Sequence, residues 1–206
     1  MGAAVVHHGD GARPEVALTF DDGPGRATRA LLELLARHGA RATFFMVGSE
    51  AERDPELARD VVAAGHDLGS HSMHHLDHEQ VAAPEAVADM VAGAEAIARV
   101  VGSEPRLYRA PYGHFVPATL VEAAGRGWTC VHWSALGVDW LADATPRSVA
   151  DQVLADLEPG AIVLLHDSRR EKPMHADPVV GGTALLLEEI PRRGLRPVGV
   201  HEMLHA

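Results

Sequence analysis

Cys130 is the only cysteine in this 206-residue chain. An internal disulfide is therefore excluded, and the fold does not depend on an oxidising compartment. Cys130 lies in the stretch Gly127-Trp128-Thr129-Cys130-Val131-His132-Trp133, which reads as the setting of a buried, inert thiol. Aromatic residues are scarce at 4%, so a core has to be built mostly from Ala, Val and Leu. No apolar run approaches the roughly 18 residues that a membrane-spanning helix requires. Basic residues are in the minority, 18 Lys and Arg against 29 Asp and Glu, and the net charge of −11 repels phosphate backbones and anionic lipid heads. Nucleic acid and membrane surfaces are thereby disfavoured as partners. The N-terminal segment carries His7, His8 and Asp10 where a signal peptide needs a basic start followed by an apolar stretch. As it stands the chain is expected to be cytoplasmic, or else a trimmed form of a secreted or cell-wall protein.

Neither a repeat nor a low-complexity tract nor a linker divides the sequence, and a single domain over residues 1–206 is expected, as a monomer. Short apolar or β-branched runs alternate with longer stretches of helical period. Strands are predicted over residues 15–20, 42–47, 67–70, 106–108, 128–133, 161–165 and 197–200. Helices are predicted over residues 27–38, 55–64, 84–101, 118–124, 147–157 and 183–190, the first three stopped by Gly39, Gly65 and Gly102. Asp54 is the expected N-cap of the second helix, with Pro55 at its first position. Strand–helix alternation implies a parallel sheet, and about seven such units favour a (β/α) barrel over an open sheet.

The polar residues most costly to bury follow directly on the predicted strands. Asp21 and Asp22 end the first, His71 and His75 follow the third, Arg109 follows Leu107-Tyr108, and His166-Asp167 ends residues 162–165. Asp139-Trp140 comes in the loop beyond Trp133. In a parallel barrel every strand's C-terminal end opens on one face, so these five segments should converge there. His71 and His75, at i and i+4 and so one helical turn apart, together with one carboxylate of the Asp pair, make a three-ligand set that leaves positions open for chemistry. His74 and His78 crowd the same segment, so spacing alone does not choose among the histidines. Adjacent residues at a strand end point in different directions, so one of Asp21 and Asp22 can face an ion and the other a water.

The ordered motifs Thr19-Phe20-Asp21-Asp22-Gly23-Pro24, His71-Ser72-x-x-His75, Arg109-x-Pro111-Tyr112-Gly113, Asp139-Trp140 and Leu164-x-His166-Asp167 resemble those of the polysaccharide deacetylases, carbohydrate esterase family four. They fall within residues 15–200. The resemblance implies a distorted (β/α) barrel and a catalytic zinc, or sometimes cobalt, ion. It also implies a hydrolase that releases acetate from N-acetylated sugar units of chitin, chito-oligosaccharide or peptidoglycan. By position it gives Asp22, His71 and His75 to the metal, Asp21 to general-base catalysis and Arg109 to orienting Asp21. His166 becomes the general acid, with Asp139 tuning it. The backbone N–H of Tyr112 would hold the oxyanion, and Trp140 and Leu164 would line a pocket for the acetyl methyl. One departure stands out: residues 134–138 (Ser-Ala-Leu-Gly-Val) carry no carboxylate where the family often has an acidic or polar residue.

Amide hydrolysis needs an activated water, stabilisation of the tetrahedral oxygen and an acid for a poor leaving group, and this set of residues offers all three. A non-haem iron oxygenase shares the two-His, one-carboxylate set but has no use for a spare base and acid. A catalytically inactive sugar-binding barrel, an O-acetyl xylan esterase of the same family and a related barrel amidohydrolase acting on cyclic amides also compete with the deacetylase. Other histidines, His7, His8, His114, His132, His175, His201 and His205, read as structural or exposed.

Overall fold

The computed structural model describes residues 2–168 and 176–205. The strands are β1 (Val5–Val6), β2 (Glu15–Asp21), β3 (Thr43–Met46), β4 (Asp67–Ser70), β5 (Leu107–Tyr108), β6 (Thr129–Val131), β7 (Ala135–Leu136), β8 (Ile162–His166) and β9 (Arg196–Val198). The helices are α1 (Thr28–His38), α2 (Gly48–Arg53), α3 (Pro55–Ala63), α4 (Ala83–Val101), α5 (Pro117–Arg126), α6 (Pro146–Ala155), α7 (Ala176–Arg192) and α8 (Val200–His205). Strands pair in the order β1-β6-β5-β4-β3-β2-β8-β7, with β9 against the start of β2, and every ladder between them is parallel. β2 pairs with β3, β8 and β9 and is buried along its whole length, as expected of a parallel strand covered on both faces.

The sheet curls into a distorted barrel, and the chain itself spans the seam. Between β6 and β7 residues 132–134 cross from one end of the strand order to the other. His132 N–H donates to Val6 O at 2.7 Å on one side, and Ser134 N–H donates to Ile162 O at 2.9 Å on the other. This crossing corrects the single strand expected over residues 128–133. The ladder to β5 ends at Cys130 and that to β1 at Val131, because the backbone must turn to reach β8.

Strand alternation sorts the core into two layers. Ala17, Phe45, Leu107, Val131 and Ile162 pack together inside the barrel, where α8 plugs the lower end with Val200 and Met203. Their neighbours Val16, Leu18, Phe20, Phe44, Val163 and Leu165 face outward against the helices. Cys130 is buried as expected, and burial pushes its thiol up to about 11, so it stays protonated. Asp54 caps α3 through Leu57 N–H at 3.1 Å, with Pro55 as the first helical residue. The last long helix extends beyond the expected residues 183–190 because Gly181 and Gly182 sit within it. A Cβ on Gly181 would lie 2.7 Å from Pro146 Cγ, and one on Gly182 2.7 Å from Val149 Cγ1, so both glycines serve the close approach of α7 to α6. The two-residue strands β1 and β7, and the six-residue helices α2 and α8, were not expected.

Candidate active site

The inward phase that places Ala17 and Ile162 inside the barrel also places Thr19, Asp21, Leu164 and His166 there, further toward the C-terminal ends of β2 and β8. Residues from the five motif segments meet at that end, around a cavity of ≈ 1000 Å³ lined by Asp21, Asp22, His71, His75, Tyr112, Trp140, Leu164 and His166 among others. Arg109 and Asp139 lie beneath it, both buried. The convergence expected of the strand ends is therefore present. Backbone strain gathers in the same place. Asp22, Ser72, His75, Tyr112 and Val138 all have φ between 51° and 77°, a region that costs a non-glycine residue on the order of 1–3 kcal/mol.

Asp22 departs from the strand alternation at φ 77°, which turns its carboxylate toward the histidine segment. Asp22 Oδ1 lies 3.5 Å from His71 Nε2 and 3.1 Å from His75 Nε2. His71 and His75 do not sit one helical turn apart, as their spacing suggested. They converge on a non-helical loop after β4 in which Ser72 and His75 are left-handed. His71 Nδ1 lies 2.8 Å from the Arg109 carbonyl, which can only accept, so the proton is on Nδ1 and the Nε2 lone pair points at the cluster. Burial depresses His71 to about 4 against the pull of Asp21, which keeps that lone pair free at neutral pH. Burial works against ionisation of Asp22, but His75, His166 and His71 outweigh it and hold the carboxyl well below the usual range. Asp22 Oδ1 is buried and makes no hydrogen bond within the described residues. An orphaned carboxylate oxygen facing two imidazole nitrogens fits a divalent cation, and the donor atoms of Asp22, His71 and His75 all lie within 4.8 Å of one another.

Two further pairs flank this cluster. Arg109 Nη1 donates to Asp21 Oδ1 and to Thr19 Oγ1, each at 2.7 Å. Its Nε donates to Val131 O at 3.2 Å and its Nη2 to His132 O at 2.8 Å, while the guanidinium stacks 4.1 Å from the Phe45 ring centroid. A fully buried guanidinium is thus satisfied by β2, β6 and the seam, and it fixes Asp21 from below. The Asp139 carboxylate takes two bonds from one residue: His166 N–H at 2.8 Å and His166 Nδ1 at 2.9 Å. Burial opposes a charged His166, yet Asp139, with Asp22 and Asp21, outweighs it and raises the imidazole to about 9. His166 is therefore protonated at neutral pH, and the edge of the Trp140 ring packs against it with centroids 5.4 Å apart.

Several residues to which no role in the site was assigned from the sequence take part in it. Thr19, in phase with Asp21, shares Arg109 with it. Asp167, adjacent to His166, points outward beneath the Gly23-Pro24 turn and accepts from Thr28 Oγ1 at 2.5 Å, and burial raises its carboxyl to about 7. Trp133, Glu50 and Arg53 line the cavity, as does His114, which pairs with Asp77 at 2.8 Å. His175 lies outside the described residues.

A family model described as polysaccharide deacetylase matches residues 8–131. A peptidoglycan-N-acetylglucosamine deacetylase of Bacillus cereus is 34% identical over 192 residues, covering 92% of this chain and 87% of the relative. The chain belongs to the polysaccharide deacetylase family. A chitooligosaccharide deacetylase of Bradyrhizobium sp. is 40% identical over 154 residues, covering 74% of this chain and 70% of the relative. Among solved structures, the Bc1960 peptidoglycan N-acetylglucosamine deacetylase, in complex with a naphthalenyl N-hydroxybenzamide, superposes with a TM-score of 0.92 at 29% identity, covering 99% of this chain and 94% of that one. The family's distorted barrel is thus reproduced along nearly the whole polypeptide.

Proposed function

We propose that this polysaccharide deacetylase is a metal-dependent hydrolase that removes acetyl groups from N-acetylglucosamine units of chito-oligosaccharide or peptidoglycan, releasing acetate. The observation that carries this reading is the meeting, in one cavity, of three elements: the Asp22–His71–His75 cluster, an arginine-held carboxylate and an aspartate-held imidazolium. Zinc, or cobalt in its place, is the proposed ion. Held by Asp22, His71 and His75, it would supply a Lewis acid for the amide carbonyl and the attacking water.

The chain's own residues do the rest. Asp21, fixed by Arg109, is assigned as the general base that takes a proton from the attacking water. The backbone N–H of Tyr112, in the 3-10 turn Pro111–Gly113 at the cavity edge, is assigned to the oxygen that gains negative charge as the carbonyl becomes tetrahedral. His166 enters the reaction protonated and gives its proton to the departing sugar amine, and the Asp139 carboxylate keeps that proton available until the C–N bond breaks. Trp140 and Leu164 are assigned to the acetyl methyl group. Acetate release from N-acetylated chito-oligosaccharides, peptidoglycan glycan and acetylated xylan tests the substrate class. Faster release from the two amide substrates is the expected result. Release from xylan alone would make the chain an O-acetyl esterase, and release from none would leave an inactive sugar-binding barrel.

A further inference from the structure

The two histidines of the cluster are joined by Ser72, Met73 and His74, a segment that the chain would not hold by itself. Ser72 at φ 65° and His75 at φ 57° are left-handed without being glycine, so the surroundings must impose the conformation. Two helices do so. From α4, Asp89 accepts two consecutive amides: Met73 N–H reaches its backbone carbonyl at 2.9 Å, and His74 N–H reaches its side-chain Oδ1 at 2.9 Å. From the start of α2, Gly48 N–H and Ser49 N–H donate to the carbonyls of Ser72 and Met73 at 2.8 and 3.1 Å. The fit is close enough that a Cβ on Gly93, one turn along α4 from Asp89, would lie 2.2 Å from the Ser72 carbonyl carbon.

Behind the segment lies a buried polar group of this chain. Ser72 Oγ, His78 Nε2 and Tyr108 Oη form a triangle with His78 Nδ1 turned to the tyrosine, each contact at 3.3 Å. Asp89 Oδ2 is 3.8 Å from His78 Nε2 and has no hydrogen-bond partner among the described residues. All four side chains are buried, and none lines the cavity. Buried polar side chains are costly unless hydrogen-bonded, and a network of them holds its surroundings in one arrangement. What they touch is the segment that sets the separation of His71 Nε2 and His75 Nε2.

We propose that Asp89 and His78 are positioning residues that set the affinity of the Asp22–His71–His75 cluster for its metal, by locking residues 72–74 against α4. This rests on the metal-binding reading above. The test is the zinc affinity of demetallated protein, measured by competition with a chromophoric chelator, alongside the thermal midpoint of the metal-free form. Replacing such an outer partner of a ligand commonly costs roughly 10- to 100-fold in metal affinity, and that loss is expected for Asp89→Ala and for His78→Leu. Asp89→Asn keeps an acceptor for His74 N–H and should recover most of the affinity. If Asp89→Ala does not fold, His78→Leu, which retains bulk and removes both ring nitrogens, carries the test. Wild-type affinity in the folded alanine and leucine variants would overturn the proposal, as would a loss that Asp89→Asn shares in full. A wild-type protein that binds no zinc would instead overturn the metal-binding reading itself.

Discussion

Asp21 and Asp22 are adjacent in the chain and meet different partners. Asp21 keeps the inward phase of β2 and takes the Arg109 guanidinium at 2.7 Å, whereas Asp22 breaks that phase and faces two imidazoles. The division of labour gives a direct expectation. Asp21→Asn should retain bound metal while turnover falls by roughly 10²- to 10⁴-fold, the usual worth of a general base. Metal analysis and acetate release on the same sample check it, and loss of the metal would exchange the two roles. Asp139 acts on His166 through charge as well as geometry. Asp139→Asn removes the neighbouring negative charge that lifts His166 to about 9, so the basic limb of kcat/KM should move to lower pH. An unmoved limb would mean that another group sets it. Asp167 gives a stability signature instead. Its carboxyl is raised from 3.8 to about 7, chiefly by burial, so in that interval the folded state holds a proton that the unfolded chain has released. Its contribution is full at the acid end and lost as pH rises toward 7. Asp167→Asn keeps an acceptor for Thr28 and cannot ionise. Relative to the variant, the wild type should lose stability to urea as pH rises across that window, and parallel curves would contradict this.

At the scale of elements, packing decides what a local rule cannot. Gly125 in α5 and Gly182 in α7 are both helical glycines, but a Cβ on Gly125 would meet nothing within 4 Å while one on Gly182 would strike Val149. Gly125→Ala should therefore stabilise the protein by about 0.5–1 kcal/mol, the ordinary helix gain. Gly182→Ala should destabilise it, because overpacking costs about 1–3 kcal/mol and outweighs that gain. Denaturant midpoints with opposite signs are the check. The same contrast explains which elements could be read in advance. α1, α3 and α4 carry a helical apolar period and a glycine near their ends, and β2, β3 and β8 are apolar runs of strand length. β1 and β7 are two residues each, too short to show a period, and they exist because the seam offers partners. Gly181 and Gly182 lie just before the predicted start of the last long helix at residue 183, and α7 runs through them where it packs closely on α6.

Across the whole molecule, the candidate site was more legible than the fold's edges. A parallel barrel sends every strand's C-terminal end to one face, so Asp21, Asp22, His71, His75, Arg109 and His166 could be placed together from their position after predicted strands. Motif order then separated them from the other histidines. What the sequence did not carry was support that depends on neighbours distant in the chain. Thr19 shares Arg109, Asp89 reaches back to His74 across 15 residues, and His78 turns toward Tyr108 across 30. The left-handed turn that brings His71 and His75 together was equally hidden, since neither Ser72 nor His75 announces positive φ as a glycine would. All of these details converge on one cluster, and its role is the central claim. The most direct measurement is acetate release from chito-oligosaccharide by thoroughly demetallated protein, before and after zinc or cobalt is restored. Activity should vanish on demetallation and return with the ion in the wild type, and should fail to return in His71→Ala. Undiminished release from the metal-free protein would contradict the account.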